Sequence, residues 1–62
     1  MFKLEINTDG AAFRDEDGNL DKNGSEVCRL LKSIAEKIND GYTNVSLLDI
    51  NGNKVGEWFY EE

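Results

Sequence analysis

The residues best suited to chemistry are the oxygen donors between Asp15 and Glu26. Asp15, Asp17, Asn19, Asn23 and Glu26 stand at positions 1, 3, 5, 9 and 12 of a loop that runs into a helix-like segment. That is the donor spacing of an EF-hand half, whose hard oxygen ligands suit calcium. Two features oppose that reading: Leu20 occupies the position where the sharp turn requires glycine, and no helix precedes the loop. The segment therefore reads as a solvated, Asp/Gly-rich loop, with calcium binding as the alternative. Asp49-Ile50-Asn51-Gly52-Asn53 resembles half of such a loop, but Lys54 and Tyr60 spoil its sixth and twelfth positions. Asn51-Gly52 is instead a preferred type I′ pair for a two-residue hairpin turn.

Other chemistries lack their residues. The chain has no histidine and one cysteine, so a thiolate–imidazole zinc site and an internal disulfide are both excluded. Cys28 has no neighbouring base to activate it and reads as a half-buried small residue beside an apolar stripe. No glycine-rich phosphate cradle of either common pattern is present. Carboxylates are abundant, but they fall in flexible or terminal stretches, whereas general acid–base work needs a fixed pair in a pocket. We expect no catalytic residue, no cofactor, no metal site and no enzymatic activity.

Composition narrows the partners. Thirteen acidic residues against seven basic ones give a net charge of −6, which disfavours a nucleic-acid backbone and suits a basic protein surface. No apolar run approaches the roughly 18 residues of a membrane helix, and the opening Met1-Phe2-Lys3-Leu4-Glu5-Ile6 alternates rather than forming a signal-peptide core. The expected location is cytoplasmic. Sixty-two residues make one domain at most, and such a chain buries only roughly 60% of its unfolded surface. A second copy would relieve that shortage.

The elements that must position these residues follow from periodicity. Phe2, Leu4 and Ile6 alternate with polar residues, the pattern of a half-buried strand over residues 2–7. Residues 9–24 form a long polar loop in which Asp9, Asp15, Glu16, Asp17 and Asp21 face Arg14 alone up to residue 21, a local net charge of −4. Phe13 is the apolar anchor of this loop. Val27, Leu30, Leu31, Ile34, Ala35 and Ile38 make one continuous stripe, which predicts a helix over 25–39. Asn23 with Glu26, or Ser25 alone, can cap its start, and Gly41 suits its end. Arg29, Lys32, Ser33, Glu36 and Lys37 are assigned to the wet face.

The last third predicts a hairpin, residues 43–50 and 54–60. A two-residue turn pairs Asp49 with Lys54, Leu47 with Gly56, Val45 with Trp58 and Thr43 with Tyr60. Val45, Leu47, Trp58 and Tyr60 then share the core face, and Leu48 opposite Val55, with Phe59, occupies the other. The expected fold is a small α+β domain: β-α-β-β, a three-stranded sheet with one helix on one face. The first strand is either parallel beside the second or antiparallel beside the third. Leu48, Val55 and Phe59 are candidates for self-association into a homodimer.

The strings Thr8-Asp9-Gly10-Ala11-Ala12-Phe13, Arg29-Leu30-Leu31-Lys32-Ser33-Ile34-Ala35 and Asp49-Ile50-Asn51-Gly52-Asn53-Lys54-Val55-Gly56 together resemble a group of small uncharacterised proteins encoded by phages and prophages. Members of that group typically read T-D-N-A-A-F, R-x-L-x-x-[IL]-A and D-x-N-G-N-x-V-G. Gly10 replaces the usual Asn, and the acidic loop is longer than typical. The resemblance implies a genomic setting and carries no catalytic residue across. The resulting expectation is a non-enzymatic accessory protein that binds a host bacterial protein, with a component of a defence system among the candidates, through Asp15, Glu16, Asp17 and Asp21. The alternatives are a small-molecule, nucleotide or calcium binder, or a structural part of a phage assembly.

Overall fold

A computed structural model describes all 62 residues. Strand β1 (Phe2–Ile6) is followed by a short 3-10 turn (Ala11–Phe13), helix α1 (Ser25–Asn39), strand β2 (Asn44–Leu48) and strand β3 (Lys54–Tyr60). The strands form one antiparallel sheet in the order β1-β3-β2. Of the two placements the sequence allows for β1, the chain adopts the antiparallel one. Leu4 lies opposite Trp58 and Ile6 opposite Gly56, so the apolar side chains of β1 join those of β3 on the face that meets the helix.

Gly56 makes the close approach of β1 to β3 possible. A Cβ at this position would lie 1.9 Å from the Glu5 carbonyl oxygen. The obstacle is backbone, so no rotamer change relieves it. On the open face of the sheet Glu5 stands opposite Glu57, a like-charge pair. Lys3 lies 3.5 Å from Glu5, and Lys54 lies 3.9 Å from Glu57.

The core is five buried apolar side chains: Phe13, Leu30, Ile34, Leu47 and Trp58. Phe13 anchors the polar loop as expected. Leu4, Ile6, Ala12, Val27, Ile38, Val45 and Val55 pack around this centre. Tyr60, expected in the core, is half exposed at 54%. It lies on the helix-side face next to Phe2, whose ring also contacts Trp58.

The helix matches its expected bounds but not its expected cap. Gly24 precedes it in the left-handed conformation and no side chain caps it; Cys28 N–H closes the first turn onto the Gly24 carbonyl. At the other end Gly41 (φ +96°) donates to the Ile38 carbonyl and Tyr42 N–H donates to Lys37. This is a Schellman motif. The apolar stripe is only partly used. Leu30 and Ile34 are buried, but Leu31 is 45% exposed. Glu26, assigned to the cap, is buried instead.

Candidate functional site

The acidic segment is a built hairpin. Asp15 N–H donates to the Asn19 carbonyl, Gly18 N–H donates to the Asp15 carbonyl, and Arg14 bridges to Leu20 across it. The Asp15 carboxylate accepts the N–H groups of Asp17 (2.9 Å) and Asn19 (3.0 Å). Gly18 takes φ +81°, the left-handed residue that a three-residue hairpin loop with a G1 bulge requires.

The turn between β2 and β3 repeats this arrangement bond for bond. Asp49 N–H donates to Asn53, Gly52 N–H donates to Asp49, and the Asp49 carboxylate accepts from Asn51 and Asn53, each at 2.9 Å. Gly52 has φ +85° and no non-glycine residue has positive φ. A type I′ turn needs positive φ at both central residues, so the two-residue turn expected at Asn51-Gly52 does not form. The sequences Asp15-Glu16-Asp17-Gly18-Asn19 and Asp49-Ile50-Asn51-Gly52-Asn53 share the pattern D-x-[DN]-G-N. Its logic is local: the aspartate supplies one oxygen for two backbone donors, and glycine supplies the left-handed residue. That shared pattern was the available signal for both turns.

The longer turn shifts the register. Leu47–Gly56 and Val45–Trp58 pair as expected, but an irregularity between Leu47 and Leu48 sets Leu48 opposite Lys54. The expected Asp49–Lys54 and Leu48–Val55 pairs are therefore absent. Leu48 lines the groove between β2 and α1, Val55 packs against the core, and Phe59 remains at 38% exposure.

At the end of the molecule where this turn lies, the helix start and the turn are joined by buried polar groups. Glu26 and Asp49 are 7% and 6% exposed. Arg29 Nε donates to Glu26 Oε1 (2.6 Å), Arg29 Nη2 donates to Glu26 Oε2 (3.0 Å), and Ile50 N–H donates to the same Oε2 (2.7 Å). Arg29 Nη2 also donates to the Leu48 carbonyl at 3.2 Å. Arg29, read as a wet-face residue, thus bridges helix and hairpin. Its guanidinium, with the Ile50 N–H, holds the Glu26 carboxyl below the ordinary carboxylate range despite burial. The Asn53 backbone N–H, followed by the Asn53 side chain and the Asn51 N–H, does the same for Asp49. Held-down carboxylates with occupied lone pairs suit fixed structure; a general acid needs the opposite shift.

This arrangement also bears on the calcium pattern. Glu26, the twelfth-position donor, is turned onto Arg29 and Ile50, and one Asp15 oxygen is occupied by the turn. No group of three or more carboxylate or thiol side chains is placed to hold a metal ion. Cys28, expected to be half buried, is exposed. No helix is long and apolar enough to cross a membrane.

The exposed acids remain. Glu16, Asp17 and the outer part of Asp15 stand on the hairpin, with Asp21 half buried at its foot. The three ion pairs of the molecule all lie elsewhere, at Lys3–Glu5, Glu26–Arg29 and Lys54–Glu57. Of the residues that carry the phage-protein resemblance, Phe13, Leu30 and Ile34 are core, while Arg29, Asp49 and Asn53 are network. Their roles here are architectural. No family model, curated protein or solved structure matches the chain.

Proposed function

We propose that this chain is a non-enzymatic binding protein whose acidic hairpin docks on a basic surface of a protein partner. The observation that carries the reading is the hairpin itself. Its turn is fixed by Asp15 through two backbone hydrogen bonds. The neighbouring Glu16 and Asp17 carboxylates project into water without an internal base. Charges on a rigid support lose little freedom on binding and steer association with a complementary surface. The resemblance to phage- and prophage-encoded proteins supports a host bacterial protein as that partner, a defence component among the candidates, and a cytoplasmic setting.

The test is affinity capture from bacterial lysate at low and moderate salt, comparing the native chain with a Glu16→Lys/Asp17→Lys variant. Neither substituted side chain takes part in a turn hydrogen bond, so the hairpin survives. The expected result is a protein retained by the native chain and lost by the variant. Its association rate should fall as salt rises for the native chain and stay flat for the variant. Capture that is unchanged by the double substitution, or no capture at all, overturns the reading.

A further inference from the structure

We propose that the free edge of β2 takes up an additional strand, an extended acidic segment of a second protein laid along the groove between β2 and α1. This surface is distinct from the acidic hairpin, and the inference does not depend on the role given to that hairpin.

The strand order leaves two edges, β1 and β2. Natural sheets protect such edges with charged side chains, because an edge presents unpaired backbone donors and acceptors. β1 carries Lys3 and Glu5. β2 reads Asn44-Val45-Ser46-Leu47-Leu48, without a charge or a proline. Its five residues span roughly 17 Å, enough for a short added strand. Alongside lies an open groove of about 220 Å³ above the buried Leu30, Ile34, Leu47 and Trp58, with half-buried Val45 and exposed Leu48 along it. Strand addition matches these features. Backbone hydrogen bonds to the edge supply affinity, and alternate side chains of the incoming strand enter the apolar groove.

The occupant is selected by charge. In a chain of net charge −6 the only charged residues lining this groove are Lys37 and Arg29, and Arg29 is already held by Glu26 and the Leu48 carbonyl, which leaves Lys37 as the free charge. Lys37 has no carboxylate within ion-pair distance and rests over the Tyr42 ring, 4.8 Å from its centroid. Pairing β2 with the β2 of a second copy requires a two-fold axis normal to the sheet. Both helices then flank one seam and bring a second Lys37 to it, whereas an acidic strand from another protein brings a carboxylate to Lys37.

The experiment selects a displayed random-peptide library on the immobilised full chain and measures the enriched peptides in solution. Enriched sequences should alternate apolar residues with Asp or Glu. Their binding should change the emission of Trp58, the only tryptophan, and slow amide exchange within residues 44–48 but not 2–6. Lys37→Glu should weaken such a peptide about fivefold, the scale of one rim charge pair, and lysine in place of a peptide aspartate should restore binding to that variant. N-methylation of alternate peptide amides should abolish binding. Glu16→Lys/Asp17→Lys should leave it unchanged, which separates this surface from the hairpin. The inference is overturned by any of three results: no enriched sequence, protection at β1 in place of β2, or a doubled solution mass with β2 amides protected without peptide, which would make a second copy the occupant.

Discussion

Glu26→Ala is the sharpest test of the join between helix and hairpin. The side chain is 7% exposed and accepts one backbone N–H, from Ile50 at 2.7 Å, besides its two bonds from Arg29. A hydrogen bond to a charged acceptor contributes about 1.5–3 kcal/mol. A negative charge in the first helical turn adds about 0.3–1 kcal/mol. Nothing is added for Arg29, whose side chain is 46% exposed and regains water when the carboxylate is removed. The expected loss is about 2–4 kcal/mol. A chain this size has a total stability of only about 3–9 kcal/mol, and the melting temperature should fall by about 8–30 °C. Urea unfolding followed by Trp58 emission measures the effect, with Glu36→Ala, an exposed glutamate on the same helix, as control. The sign with pH is fixed by linkage. The folded-state pKa of Glu26 lies below its ordinary value of 4.5, so its contribution is complete above that value and is lost as pH falls through the folded pKa. The gap between native and variant should therefore shrink below pH 4.5. Equal midpoints for Glu26→Ala and Glu36→Ala at pH 7, or a gap that widens in acid, would refute the reasoning.

Three further outcomes are expected. Gly56→Ala places a Cβ against the Glu5 carbonyl and should cost about 3 kcal/mol, the upper end for overpacking against an immovable neighbour; amide exchange should show β1 released first, and retention of its protection would refute the clash. Asp49→Ala should lower the urea midpoint more than Asp15→Ala, because the same turn is buried at the sheet in one case and solvated in the other; equal losses would show that burial is irrelevant. Cys28 is exposed, so a thiol reagent should label the native protein nearly as fast as the urea-unfolded chain, and labelling that requires unfolding would place the thiol inside.

Periodicity was enough for the elements. Alternation at Phe2, Leu4 and Ile6, the stripe from Val27 to Ile38 and the two runs about Gly52 yield the strands and the helix nearly to the residue. The acidic hairpin was also present in local chemistry, since D-x-[DN]-G-N satisfies its own backbone without help from the rest of the chain. It reads as a solvated loop in the sequence because no strand-like alternation flanks Gly18. Tertiary structure decided everything that depends on which neighbour a group meets. β1 pairs with β3, where the missing Cβ of Gly56 admits the Glu5 carbonyl. The fates of Glu26, Arg29 and Asp49 followed from burial. Periodicity assigns a charged residue to water, and only a convergence of N–H groups and a guanidinium from distant segments lets a carboxylate remain ionised inside. Local sequence encodes turns and stripes because their bonds close within a few residues. Register, helix rotation and buried charge depend on contacts between residues far apart in the chain, and those exist only once the chain has folded.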